Sequence, residues 1–158
     1  MAEPWTGRGY TLVELVTIMI LLGILAVVAL PNLDQAQGFG ASGFKDRVAA
    51  SLRFAQKSAV AHRRMVCATV AANGLTLTVD SAFGAGDCKN PLAGSDGAAA
   101  ALSPSATVTL TAAPVGPLYF QPSGAVTSDT AGTAPTSYTL TVSDQTPITV
   151  NGATGYVD

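Results

Sequence analysis

The stretch Gly9-Tyr10-Thr11-Leu12-Val13-Glu14-Leu15, running on through Val16-Thr17-Ile18-Met19-Ile20-Leu21-Leu22-Gly23-Ile24 to Leu30 and Pro31, decides how this chain is read. Nineteen consecutive residues, 15–33, carry no charge, and as a helix they would reach roughly 28 Å, close to the thickness of a bilayer's hydrocarbon core. One membrane span is therefore expected. Gly23 and Pro31 weaken a soluble helix but are tolerated in a membrane, and Pro31 falls near the far end of the run. Glu14 stands at the entrance, where the bland reading leaves it solvated at headgroup level. A carboxylate drawn into hydrocarbon costs at least ~2.5 kcal/mol, so in that position it needs a partner.

Composition agrees with a membrane stem joined to one modest domain. The chain has 158 residues, 48% of them hydrophobic and only 11% charged, against about 25% in an average soluble domain. That length excludes a large multidomain enzyme, and high hydrophobicity with a net charge of −2 excludes a disordered chain. Whole-molecule charge gives no reason to expect nucleic acid or an anionic surface as partner.

The string from Gly9 to Leu15 resembles the signature of type IV prepilins and type II secretion pseudopilins. The resemblance implies removal of leader 1–9 by a prepilin peptidase, which cuts between Gly9 and Tyr10, and methylation of the new N-terminus at Tyr10. Glu14 then stands fifth and Pro31 twenty-second, as in the family pattern; Tyr10 replaces the commoner phenylalanine. The α-amine of Tyr10 and the carboxylate of Glu14, four residues apart, share one helical face. In a membrane a neighbouring subunit's amine satisfies Glu14 only when the two helices are in correct axial register, so Tyr10, Glu14 and Pro31 are the expected assembly residues. The rival reading is a secretory signal peptide cut after Val27-Val28-Ala29, releasing a soluble periplasmic protein.

Past the transmembrane helix, expected over 10–37, Gly38-Phe39-Gly40-Ala41-Ser42-Gly43 formally satisfies G-x-G-x-x-G. It lacks the preceding strand and the acid about twenty residues on that a dinucleotide site needs, and reads as a flexible glycine joint over 38–43. A periodic periplasmic head over 44–158 follows. Phe44, Val48, Leu52, Ala55 and Ala59 form one apolar stripe of a second, amphipathic helix. Beside it, Lys45, Arg53, Lys57, Arg63 and Arg64 fall within an arc of roughly 120°. Residues 44–64 carry a balance of +5 and residues 65–158 one of −5, so a polarised head is expected. A nucleic-acid contact is one reading of the basic face. A face meeting acidic neighbouring subunits or headgroups is the preferred one.

From Val66 the pattern turns to strands, with residues 66–72 and 75–79 alternating about Asn73-Gly74, a strong hairpin signal. Further strands are expected over 107–111, 118–121, 137–143, 148–150 and 155–157, with 90–104 a loop. The fold class is thus α+β and pilin-like: a long N-terminal transmembrane and assembly helix, a second amphipathic helix and an antiparallel sheet head. Cys67 and Cys88 would be exported with that head into an oxidising compartment, where a pair is normally a disulfide.

The passage from Phe44 through Leu52-Arg53-Phe54-Ala55 to Arg63-Arg64-Met65-Val66-Cys67 resembles the GspH/FimT group of minor pilins. Within that group it is most similar to those of mannose-sensitive haemagglutinin pilus systems. Leu118-Tyr119-Phe120-Gln121-Pro122-Ser123-Gly124 and the end from Val150 through Gly155 resemble the group's later strand motifs. The resemblance implies a structural subunit of a type IV pilus or a type II secretion pseudopilus, anchored in the inner membrane with its head in the periplasm. Its expected partners are the prepilin peptidase, other major and minor pilins or pseudopilins and the inner-membrane assembly platform. Some FimT-like pilins bind DNA for uptake through an arginine-bearing tail, but Gly155-Tyr156-Val157-Asp158 has no basic residue. No metal or cofactor is expected. Nor is catalysis, because His62 is the sole histidine and no nucleophile and base can be paired.

Overall fold

A computed structural model gives the fold of the chain. It describes residues 11–94, 97–98 and 100–158, with residues 25–39 described as helix backbone only. The chain divides into two compact units, Met1–Gly38 and Phe39–Asp158.

One helix, α1 (Leu12–His62), enters both units. At the glycine joint expected over 38–43 the backbone is helical throughout, and the boundary between the two units falls at Gly38. Glycine in a helix costs roughly 1 kcal/mol, an amount that packing can exceed. Ala41 and Phe44 flank Gly43 and are both buried, and Gly40 lies against the Pro104 ring, where an added Cβ would come within 3.3 Å of Cγ. Gly40 thus lets a head loop approach the helix closely.

In the first unit every described helical side chain, residues 12–24, is exposed. The expected uncharged run 15–33 is described with its side chains only as far as Ile24; Pro31, like Gly9 and Tyr10, lies outside that description. Among the described residues no helix is long and apolar enough to cross a membrane.

In the second unit, Phe44, Val48, Leu52, Ala55 and Ala59 of α1 are all buried, as their spacing predicts. Among the described residues nine strands follow α1: β1 (Val66–Ala71), β2 (Gly74–Val79), β3 (Asn90–Pro91), β4 (Ala100–Leu102), β5 (Leu110–Ala113), β6 (Leu118–Phe120), β7 (Val126–Thr127), β8 (Tyr138–Val142) and β9 (Ile148–Val150). They form two antiparallel sheets. The larger has the order β3-β2-β1-β6-β7, with β4 also on β2; the smaller has the order β5-β8-β9. The expected Asn73-Gly74 hairpin is present, with Ala71 opposite Gly74.

The inward residues of both sheets join the helix in one core: Val66, Ala68, Leu75, Leu118 and Phe120 from the larger, and Leu110, Leu140, Val142, Ile148 and Val150 from the smaller. β8 alternates buried and exposed residues throughout, as a half-buried strand should. The strand expected at 107–111 lies instead at Leu110–Ala113. Before it, a turn is closed by the Val108 N–H on the Ser105 carbonyl at 3.2 Å. In that turn the Ser103 hydroxyl reaches the carbonyls of Ser105 and Val108. β3 and β4 fall within the expected loop 90–104, and β7 is a further addition.

Candidate functional site

The N-terminal face begins with a helix cap. The Thr11 hydroxyl accepts the Glu14 N–H at 3.3 Å and the Thr11 carbonyl accepts the Leu15 N–H at 3.2 Å. Thr11-x-x-Glu14 is therefore the start of α1, a sequence cue of the capping-box type. The Glu14 carboxylate also complements the positive end of the helix dipole. Around it Leu12 is 78% exposed and Met19 is 74% exposed, within an apolar surface that a lone chain leaves uncovered.

The basic residues divide into two sets. Lys45 donates to the Thr146 hydroxyl, and the Arg53 Nε donates to the Val157 carbonyl at 3.2 Å. These two cations, together with Asp46 and Asp158, line a cleft of about 300 Å³. Lys57, Arg63 and Arg64 are exposed and make no side-chain hydrogen bond or ion pair among the described residues. The expected separation into a basic helix and an acidic remainder is thus blurred, since Asp158 is folded back beside Lys45 and Arg53.

α1 ends in a Schellman arrangement. The Arg63 N–H bonds the Val60 carbonyl and the Arg64 N–H bonds the Ala59 carbonyl. Arg63 takes the left-handed position at φ 51°, where glycine is the usual residue. That conformation costs a non-glycine residue roughly 1–2 kcal/mol, while glycine loses about 0.5–1 kcal/mol more backbone freedom on folding. Arg63→Gly is accordingly expected to raise head stability by about 0.5 kcal/mol, read from urea unfolding.

The tail and the loop after β6, the two later segments of the family resemblance, meet on the helix flank. The Gln56 amide donates to the Thr154 carbonyl at 2.8 Å, and Val157 bridges Val150. Gly155 has φ +66°, and a Cβ there would lie 2.3 Å from the Gly124 carbonyl oxygen. Only glycine fits between that loop and Gln56.

Cys67 and Cys88 form the disulfide, with Cα atoms 6.1 Å apart. A residue not singled out in the sequence supports it. The Asp80 carboxylate, only 1% exposed, accepts the Gly86 N–H at 2.9 Å and the Cys88 N–H at 3.0 Å, which ties down the loop that delivers Cys88. Its only sequence signal was an acid directly after a strand with glycines and a cysteine close behind. Gln121, from the later family motif, braces the loop after β7: its amide donates to the Thr127 hydroxyl at 2.9 Å and packs against Gly132.

In the same loop Asp87 accepts the Ser81 N–H at 2.9 Å and the Ser81 hydroxyl at 2.7 Å. The Ser81 N–H above all, then its hydroxyl, holds the Asp87 carboxyl down at about 2; Lys89, 3.3 Å away, contributes less. The Thr133 N–H likewise holds Asp129 below the usual carboxylate range. A depressed folded-state pKa stabilises the fold above the unfolded value of 3.8 and is lost as pH falls through about 2. Acid unfolding should therefore steepen between about pH 4 and 2. Asp87→Asn removes part of that slope and leaves the curve above pH 5 nearly parallel to wild type. Among the described residues no group of three or more side chains could hold a metal ion.

Two crystal structures of the Pseudomonas aeruginosa type IV minor pilin FimU share this fold. One matches with a TM-score of 0.52 at 19% identity, over 74% of this chain and 90% of that one. The other matches with a TM-score of 0.52 at 20% identity, over 79% and 88%. The chain has the fold of a type IV minor pilin. No protein-family model and no curated protein matches the sequence. In this chain the candidate functional features are thus a capped apolar helix start, a helix flank stitched to the tail and a loop braced by Asp80 and the disulfide.

Proposed function

We propose that the protein is a minor subunit of a type IV pilus. It is made as an inner-membrane precursor, cleaved by a prepilin peptidase after Gly9, methylated at Tyr10 and passed by an inner-membrane platform into a filament of other pilins. One observation carries the reading: a pilin-fold head is joined to a helix whose described N-terminal part presents an entirely exposed apolar surface, opened by Thr11 and Glu14. Such a surface must be buried by lipid before assembly and by other subunits' helices after it. The likeness to FimU favours a pilus over a type II secretion pseudopilus, which would use the same helix in the same way. Filament-borne DNA binding has less support, because Lys45 and Arg53 are engaged with Thr146 and the tail.

The processing step is tested by the mass of the mature N-terminus from inner membranes. A chain beginning at a methylated Tyr10 is expected. A chain beginning at Leu30 would instead mean release by a signal peptidase and would end the filament reading.

A further inference from the structure

The outward face of the smaller sheet is built of small hydroxyl side chains. β8 buries Tyr138, Leu140 and Val142 and exposes Thr139 and Thr141. Thr139 stands opposite Thr149 of β9, and Thr141 opposite Thr111 of β5. The tail continues this sheet beyond β9. Thr149 and Asp158 exchange backbone bonds at 3.3 and 2.9 Å, Val157 bridges Val150, and the Asn151 N–H reaches the Tyr156 carbonyl at 2.8 Å. Val157 is buried between them, so Tyr156 and Asp158 emerge on the same face as Thr149.

Ser137, Thr139, Thr149, Asn151, Tyr156 and Asp158 line an open groove of about 320 Å³ on this face. Thr139, Thr149 and Asp158 lie side by side on neighbouring strands, spanning about 10 Å, and Tyr156 stands about 7 Å along the tail from Asp158. Tyr156 is 64% exposed. Among the described residues the hydroxyls of Thr139, Thr149 and Tyr156, the Asn151 amide nitrogen and the Asp158 carboxylate have no hydrogen-bond partner. Only the Asn151 side-chain oxygen is taken, by the N–H groups of Ala153 and Thr154 and the Thr154 hydroxyl.

We propose that this groove binds a neutral carbohydrate chain. The groove itself argues against other occupants. The tail already fills the outer edge of β9, so a peptide strand has no backbone edge to pair with. No cation lines the groove, so an anion has no partner there, and a cation would meet a single exposed carboxylate. One aromatic ring among small polar side chains lacks the apolar centre of a protein interface. A sugar answers each group present. The electropositive C–H face of its ring rests on the negative face of an aromatic ring, which Tyr156 supplies. Its adjacent hydroxyls can donate together to one carboxylate, that of Asp158, and exchange hydrogen bonds with Thr139, Thr149 and the Asn151 amide. The inference goes beyond the filament reading and stands without it.

The test uses the full chain in detergent and neutral tetrasaccharides cut from cellulose, amylose, galactan and chitin, with side-chain NMR signals followed residue by residue. At least one tetrasaccharide should shift the Thr139 and Thr149 methyl signals and the Tyr156 ring signals, saturating below about 10 mM. Sorbitol, which has the hydroxyls without a ring, should not. Tyr156→Ala removes the stacking surface and should weaken binding at least about tenfold. Thr149→Val keeps the shape and the strand preference, loses the hydroxyl and should weaken binding at least about threefold. Thr111→Ala, on the same face but outside the groove, should leave binding unchanged. Parallel unfolding curves check that the variants fold, and Thr149→Val decides the matter if Tyr156→Ala does not. No shift with any of these sugars up to about 10 mM, shifts confined to other residues, equal shifts with sorbitol, or unweakened binding in the folded variants overturns the proposal.

Discussion

Glu14→Ala and Glu14→Gln should both leave cleavage after Gly9 largely intact while lowering recovery of the subunit in sheared filaments at least about tenfold. A carboxylate drawn into hydrocarbon costs at least ~2.5 kcal/mol unless it is paired, and in the proposed filament the amine of a neighbouring Tyr10 would supply the pair at one axial register only. Alanine and glutamine remove that penalty for misalignment together with the attraction, so insertion into the membrane survives and register does not. The pair of substitutions also separates this role from the local one. Glutamine serves a capping box as well as glutamate does, and the Thr11 bond to the Glu14 N–H needs neither side chain. Normal filaments with glutamine but not alanine would reduce Glu14 to a helix cap. Normal filaments with both would remove it from assembly altogether.

The second large effect is expected at Asp80. Hydrogen bonds to an ionised group each contribute about 1.5–3 kcal/mol, and Asp80→Ala removes two of them, from Gly86 and Cys88, along with a buried carboxylate. Allowing for water reaching the exposed Gly86, the head should lose about 2–4 kcal/mol, a large share of the 5–15 kcal/mol typical of a domain. Asp80→Asn retains one acceptor and should lose about half as much.

Cys88→Ser opens a closure spanning 21 residues, for which loop entropy alone suggests about 3 kcal/mol. Asp80 and the disulfide hold the same short loop, so the two losses should not add. Once either is gone the loop detaches and the other contributes less, and the double variant should fall short of the sum by at least about 1 kcal/mol in urea unfolding. Additivity within about 0.5 kcal/mol would mean that Asp80 and the disulfide act independently.

Asp80 illustrates why part of the candidate site was not legible beforehand. In the sequence it is one acid among the six in residues 65–158 and enters only their charge balance; the return of the chain at Gly86 and Cys88 makes it a structural centre. The basic face shows the same limit. The helical arc of Lys45, Arg53, Lys57, Arg63 and Arg64 was readable from spacing, yet two of the five are engaged by residues about a hundred positions away, at Thr146 and Val157. Gly40 shows it too: the glycine spacing points to a joint over 38–43, while the close approach of Pro104 to Gly40 depends on a residue far along the chain. In each case the deciding partner is remote in sequence.

What the residues determined by themselves was local. A period of three and four sets the buried stripe from Phe44 to Ala59, alternation about Asn73-Gly74 sets the first hairpin, and the uncharged run after Glu14 sets an apolar N-terminal helix. Each follows from side-chain geometry within a few residues. The tertiary structure alone decided that the strands divide into sheets of unlike size, that short β3, β4 and β7 complete the larger one, and that Gly155 fits beneath Gly124 and Gln56. Those outcomes depend on backbone partners and close approaches between distant segments, where the energy resides in the pairing and no single segment carries its signature.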